Sequence, residues 1–358
     1  MLATATPAEA VMGTNALELA AGASAALTRL LAAVAKSDYR FTTPTPATHQ
    51  RYLADSGRAI ATTLRDIFGW NLPFARSLLR PSMLQEMRDA GVLMPHATPP
   101  YRSGCMTPDQ TTLYRSAVRI ARLDGDVFLH SGFPTEAPES VFFGPDTYRF
   151  ARFVQSALPD FMPSRASASV AGPPIRILDL GCGTGAGGIV AARAMRQRGN
   201  ACHVTMSDIN PAALRYTAVN AAVADIAVEL AHGDGLAAAV GAFDLIVANP
   251  PYLFDDARRT YRHGGAGLGR ALSVQFVKQS LLRLAPGGQL LLYTGVAIVN
   301  GDDGFLDEIT PLVSQAGCAW SYAEIDPDVF GEELSRPMYR HVDRIAAVGL
   351  CVRRPPAV

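Results

Sequence analysis

From Ile175 to Val352, short apolar runs alternate with segments of helical periodicity, and no other feature of the chain restricts its fold so strongly. Strands are expected at Ile175 to Leu180, His203 to Asp208, Ala227 to His232, Phe243 to Ala248 and Gln289 to Thr294. Between them lie helical patterns at Gly187 to Arg198, Pro211 to Val223 and Leu272 to Leu284, the last with Val274, Val277, Leu281 and Leu284 on one face. A helix near Phe305 to Gln315 and strands at Trp320 to Ile325 and Ile345 to Val352 complete seven strands. Such alternation specifies a mostly parallel sheet covered on both faces. In an open α/β sheet, ligands gather at the carboxyl ends of the strands.

The first 140 residues have a different texture. Helices are expected from Ala8 to Lys36, with Leu27, Leu30, Leu31 and Val34 in one stripe, and from Pro46 to Phe68, with Ile60, Leu64 and Ile67 in another. Two short helical patterns follow, Phe74 to Leu79 and Ser82 to Ala90, the second opened by Pro81 and closed by Gly91. Strands at Ala117 to Ala121 and Val127 to His130 meet at the Asp124-Gly125 turn. Helix, turn, helix and hairpin is the order of a winged-helix module. Its recognition helix would carry Glu86, Arg88 and Asp89, a poor surface for a phosphate backbone, so the module is expected to serve the substrate side or a homodimer. The chain divides accordingly into residues 1–140 and 141–358, and Asp160 to Pro174, rich in Pro, Ser, Ala and Gly, reads as a linker or loop.

Composition narrows the partners. Formal charge is zero over 358 residues, so the chain lacks the excess of cations that drives most nucleic-acid binding. The five cysteines, Cys105, Cys182, Cys202, Cys318 and Cys351, are scattered without metal-ligand spacing and read as reduced cytoplasmic thiols. Ala16 to Ala35 is alanine-rich but broken by Glu18 and Arg29, an amphipathic helix rather than a membrane span, so no membrane partner and no metal is expected.

Asp179-Leu-Gly-Cys-Gly-Thr-Gly185 follows an apolar strand and precedes a helix. Glycines at 181, 183 and 185 let the backbone turn tightly and admit a ligand to its amides without Cβ obstruction. Asp208 ends the next strand, where a carboxylate can accept both hydroxyls of a ribose; its alternative role is a cap before Asn210-Pro211. Asp234, between Gly233 and Gly235 after the third strand, suits an adenine amino group or a simple turn, and Asp179 stands near the loop for an α-amino group. Taken together at three successive strand ends, these carboxylates describe a nucleoside site held by charge-assisted contacts.

Asn249-Pro250-Pro251-Tyr252 ends the fourth strand. The prolines fix φ and remove amide donors, leaving the Asn249 side chain and the Pro250 carbonyl as acceptors for a planar NH2 group. Drawing on both hydrogens would favour a pyramidal, nucleophilic nitrogen and hold it about 3 to 3.5 Å from a methyl sulfonium. Tyr252 is expected to stack on the flat acceptor or to face the sulfonium. The cluster Arg258, Arg259, Arg262, His263 and Arg270 offers an anion site, but a solvated loop balanced by Asp255 and Asp256 accounts for it better. Asp302-Asp303 reads as a helix cap.

Asp179 to Gly185, Asp208, Asp234 and Asn249 to Tyr252 together resemble the class I methyltransferases, and within them the "methyltransferase small" group that includes the release-factor glutamine N5-methyltransferases and certain ribosomal-RNA guanine N2-methyltransferases. The resemblance runs from about Val141 to the C-terminus, where Val141-Phe-Phe-Gly-Pro-Asp-Thr147 is similar in place to a segment that covers the cofactor. It implies a Rossmann-like methyltransferase sheet with S-adenosylmethionine as cofactor. Asp179, Gly181, Gly183, Gly185, Asp208, Asp234 and Asn249 would then contact the cofactor, while Asn249, Pro250 and Tyr252 orient the acceptor. The implied reaction is N-methylation of a planar amide or amino nitrogen on a protein, peptide or small molecule. A nucleic-acid base is the second acceptor class, and a cofactor-binding interaction protein without turnover is the third reading.

Overall fold

A computed structural model describes residues 7–57, 59–96, 112–161, 173–237 and 239–357, with side chains from residue 21 onward. The chain forms two compact units, Met1–Pro134 and Thr135–Val358.

In the second unit the strands are β6 (Ile175–Leu180), β7 (Cys202–Asp208), β8 (Val228–His232), β9 (Phe243–Ala248), β10 (Leu284–Val299), β12 (Ala319–Asp326) and β13 (Arg344–Arg353). They lie in the order β12-β13-β10-β9-β6-β7-β8, with a two-residue strand, β11 (Asp302–Asp303), paired to the end of β10. All are parallel except β13, which runs against both β10 and β12. The expected mostly parallel sheet is therefore present. Every residue of β9 is buried, as a central strand covered on both faces requires. Alternation then divides the core. Leu178, Leu180, Ile246, Ala248, Leu290 and Leu292 join Val274 and Val277 of helix Ala271–Leu281 and Phe305, Ile309 and Val313 of helix Gly304–Gln315 in one buried cluster. On the opposite face Tyr293 meets Phe150 of helix Pro145–Ala157, with ring centroids 6.3 Å apart.

The local signals act as their chemistry dictates. Helix Pro211–Val223 starts with proline behind Asn210, whose side chain accepts from the Ala212 amide at 2.9 Å. Asp303 caps helix Gly304–Gln315, accepting from the amides of Phe305 and Leu306 at 2.9 and 3.0 Å. Two expectations in this unit need correction, and one element was not expected. Leu284 opens β10 instead of closing the preceding helix, which stops at Leu281. β10 runs well beyond Gln289 to Thr294, from Leu284 to Val299, with a register shift against β9 between Leu284 and Gln289 and continued pairing with β13 past Thr294. Helix Pro145–Ala157 was not anticipated, and it precedes the expected linker, of which residues 162–172 lie outside the described residues.

The first unit holds helices Pro7–Ala35, Pro46–Asp55, Leu64–Phe68 and Pro81–Asp89. The Leu27, Leu30, Leu31 and Val34 stripe is buried, and so are Met83, Leu84 and Met87 of the last helix. The pattern from Pro46 to Phe68 is not one helix. It breaks after Asp55, Gly57 takes a φ of 62°, and a Thr63–Asp66 capping box starts a new turn, which leaves Ile60 exposed. Phe74 to Leu79 is likewise a strand followed by a 3-10 turn, since Phe74 and Ala75 (β1) pair with β3 (Leu113–Ser116). The hairpin β4 (Val118–Leu123) and β5 (Asp126–Ser131) turns at Asp124 and Gly125, both at positive φ, as the sequence implies. It is not, however, the hairpin that follows helix Pro81–Asp89. That place belongs to β2 (Leu93–His96) and β3, which join β1 in a separate sheet of order β1-β3-β2. Glu86, on the would-be recognition helix, pairs with Arg29 at 2.8 Å.

Replacing Asp303 by Ala removes the cap and the acceptor of the Tyr322 hydroxyl. The urea midpoint should fall by the equivalent of about 1 to 2 kcal/mol, with an unchanged slope in the denaturation curve.

Candidate active site at the strand tips

The register aligns the carboxyl ends of three neighbouring strands. Leu180, the last residue of β6, lies opposite Ser207 on β7 and Ala248 on β9. The glycine loop, Asp208 and Asn249 therefore emerge side by side.

The loop turns at once: the amides of Gly181 and Cys182 both donate to the Ser207 carbonyl, at 2.8 and 2.9 Å. Gly181, Gly183 and Gly185 all have positive φ, at 70°, 55° and 77°, a region that costs an L-residue about 1 to 2 kcal/mol. At Gly185 a Cβ would also stand 2.9 Å from Thr217 Cγ2, whereas at Gly183 it would meet nothing within 4 Å. The loop is wired from below by helix Pro211–Val223. Thr217 Oγ1 donates to the Gly183 carbonyl at 3.1 Å, and Asn220 Nδ2 donates to the Thr184 carbonyl at 2.9 Å. The open side at Gly183 leaves the room that a ligand lying on the loop would need.

Asp208 accepts from the Gly183 amide through Oδ2 and from the Asn210 amide through Oδ1, both at 2.8 Å. These bonds hold the carboxylate in place and leave lone pairs for ribose hydroxyls. Burial pushes its carboxyl up, against the pull of those amides. The helix after β7 is capped by Asn210, not by Asp208. Asp234 stands exposed past the end of β8, and among the described residues its carboxylate has no protein partner. Asp179 lies deeper. It is buried and accepts from the Gly188 amide at 2.7 Å, and burial pushes its carboxyl up to about 7, opposed by that amide and reinforced by Asp208. It sits beneath the loop, where it braces the start of helix Ala186–Gln197.

Asn249 is half-buried, and among the described residues nothing engages its side-chain amide or the Pro250 carbonyl. Two acceptors thus stand uncommitted beside Gly181. Tyr252 is different: its ring is buried, its hydroxyl donates to Asp146 Oδ2 at 2.7 Å, and Phe330 meets it edge-on at 5.8 Å. The ring lies flush on β10, where a Cβ at Gly295 would come within 2.1 Å of it. Tyr252 is therefore a fixed wall with an inward-turned hydroxyl.

Apart from the exposed Arg258, the cation cluster is spent on structure. Arg259 holds Asp255 through two bonds, keeping that carboxyl at about 2, chiefly by those bonds. Arg262 pairs with Glu333, Arg270 with Glu308 at 2.7 Å, and His263 Nδ1 accepts from the Asp255 amide at 3.2 Å. Arg336 ties Glu333 to Asp256, so the loop after Tyr252 is clamped to the segment between β12 and β13. A second clamp comes from upstream. Asn210 Nδ2 donates to the Glu139 carbonyl at 2.8 Å, Thr260 Oγ1 to the Pro138 carbonyl at 2.9 Å, and the Tyr261 hydroxyl to the Thr135 carbonyl at 2.6 Å. Residues 135–139 thereby reach both Asn210, at the head of helix Pro211–Val223, and the loop after Tyr252. Asp146, Tyr293, Thr217, Asn220 and Phe330 are the site residues that sequence reasoning missed: Thr217, Asn220 and Tyr293 lay in elements read only as a helix and a strand, and only Asp146 lay in a segment tied to the cofactor by resemblance. Among the described residues, no group of three or more His, Cys, Asp or Glu is placed to hold a metal ion.

A mostly parallel seven-stranded path thus carries a glycine loop after β6 and carboxylates at or just beyond the tips of β7 and β8. Residues 173–297 match the methyltransferase small domain. The chain is similar to the release factor glutamine methyltransferase of Deinococcus radiodurans, 34% identical over 175 residues, 44% of this chain and 55% of that protein. It thus spans about half the length of that relative. It is also similar to the ribosomal RNA small subunit methyltransferase C of Pasteurella multocida, 30% identical over 119 residues, 33% of this chain and 32% of that one. Among solved structures, the T. thermophilus 16S rRNA N2 G1207 methyltransferase, in complex with AdoMet and guanosine, aligns with a TM-score of 0.39 and 17% identity, over 79% of this chain and 64% of that one.

The raised carboxyl of Asp179 has a sign that can be measured. An acid with a higher pKa folded than unfolded binds more protons in the native state, so its charging lowers stability as pH rises from the unfolded value towards about 7. Asp179→Asn should match the wild type near pH 4 and become progressively more stable than it up to pH 7, in parallel urea titrations.

Proposed function

We propose that the chain is an S-adenosylmethionine-dependent methyltransferase acting on a planar amide or amino nitrogen of a protein, with a glutamine side chain as the first candidate. The observation that carries this reading is the uncommitted pair of acceptors, the Asn249 amide oxygen and the Pro250 carbonyl, at the tip of the strand beside the glycine loop. The cofactor fits the residues present. Gly181, Gly183 and Gly185 give an open backbone surface, the fixed Asp208 carboxylate suits a ribose, and the exposed Asp234 suits an adenine amino group. When bound, S-adenosylmethionine supplies a methyl group already activated by its sulfonium. What the chain then has to contribute is position. Asn249 and Pro250 take the two hydrogens of an NH2 group, which turns its lone pair outward and favours the pyramidal geometry of a nucleophile. Pro250 and Pro251 hold that pair rigid.

The glutamine assignment draws on the Deinococcus radiodurans relative, whose name gives a release-factor glutamine as its target. A second reading, a base of ribosomal RNA, draws on the Pasteurella multocida relative. Incubation with methyl-labelled cofactor and, separately, purified bacterial release factor and ribosomal RNA distinguishes them. Label in a release-factor glutamine is expected, while label confined to RNA would move the assignment to the second reading. Asn249→Ala should reduce transfer about 100-fold or more while binding of S-adenosylhomocysteine is retained. Full transfer by that variant would remove the basis of the proposal.

A further inference from the structure

Resting on the methyltransferase reading of this site, the geometry points to Asp146 as the positioning residue of the acceptor pair: a buried carboxylate that holds Tyr252 and, through it, Asn249 and Pro250. Asp146 accepts the Tyr252 hydroxyl at 2.7 Å through Oδ2 and the Tyr293 hydroxyl at 2.8 Å through Oδ1. Arg149, one helical turn on, reaches the same Oδ1 at 3.3 Å and pairs with Asp326 at 2.8 Å. Three separate parts of the chain thus meet at one carboxyl: the start of helix Pro145–Ala157, the middle of β10, and the loop after β9.

The chain geometry explains why this matters for Asn249. Ala248 is fixed in the ladder opposite Leu292, and Tyr252 is fixed by its hydroxyl, by Gly295 beneath the ring and by Phe330 at its edge. Only Asn249, Pro250 and Pro251 lie between these anchors, and two of the three have φ set by their rings. Once both ends are pinned, the direction of the Asn249 side chain and the Pro250 carbonyl has little freedom left. Stability alone gives no reason for this arrangement. A buried carboxylate among phenols costs desolvation, and an apolar replacement of similar volume is often neutral or better. What such a network adds is a unique geometry.

The test needs no acceptor. A cofactor analogue with an amino group where the methyl sulfonium stands, such as sinefungin, directs charged N–H donors at the Asn249 and Pro250 oxygens. S-adenosylhomocysteine has no group there. The ratio of the two affinities, measured by titration calorimetry on the full chain, therefore reports the acceptor pair. Wild type should prefer the amino analogue, and Asn249→Ala should weaken that preference about tenfold. Asp146→Ala and Tyr252→Phe are expected to weaken it to a similar degree, the double variant no further, with S-adenosylhomocysteine affinity held within about twofold. Tyr252→Phe keeps the buried ring, so the test stands even where Asp146→Ala fails to fold. An unchanged preference in Tyr252→Phe, with only its unfolding temperature lowered, would make the network structural and overturn the inference. A wild type that does not bind S-adenosylhomocysteine, or an Asn249→Ala variant with unaltered preference, would instead overturn the reading of the site itself.

Discussion

The ladder that joins β9, β6 and β7 is the constraint on which the site depends. Parallel pairing sets Leu180 beside both Ala248 and Ser207, so the residues one step further on leave the sheet at a common level. Those residues are a glycine, an asparagine and an aspartate, and nothing more than their place at the tip is needed to make them neighbours. The ladder itself survives because its strands are buried on both faces, where every amide must find a carbonyl and register slips are expensive. Above the sheet the chain is irregular. Its polar groups are then satisfied by side chains, as with Thr217 and Asn220 under the glycine loop.

How much of this could be read from the residues differs between the two units. In the second, apolar runs marked the inner strands, because a strand covered on both sides has to be largely apolar, whereas the edge strands β8 and β12 are mostly exposed and mixed in composition. The glycine loop, Asp208 and the Asn249 tetrapeptide were legible for a related reason: backbone conformation and proline chemistry are local properties. Asp146 was not legible as a partner of Tyr252, since the two are 106 positions apart and only the folded sheet makes them touch. The hydroxyl contact of Tyr252 was hidden on the same ground, for an aromatic beside two prolines says nothing of where its hydroxyl turns.

The first unit was harder because its elements are short. A helical stripe across Pro46 to Phe68 is compatible with one helix or with two separated by a turn, and Ser56-Gly57 decides between them. The run Leu93 to His96 contains a proline and is only four residues long, so its pairing with β3 comes from tertiary context. Such a sheet has little intrinsic propensity to announce it. The long, strongly periodic helix carrying Leu27 to Val34 stands at the other extreme, and its stripe is buried as its spacing requires.

The reversed direction of β13 has an architectural consequence. A strand that continued the parallel pattern would oblige the chain to return across a face of the sheet before entering it. Here β12 delivers the chain to the rim that carries the glycine loop and β13 departs from that same rim, so Pro327 to Asp343 lies along it as a wall segment outside the sheet. Phe330, Glu333 and Arg336 come from that segment. The fold thereby contains a connection at the rim whose length can change without disturbing a single crossover.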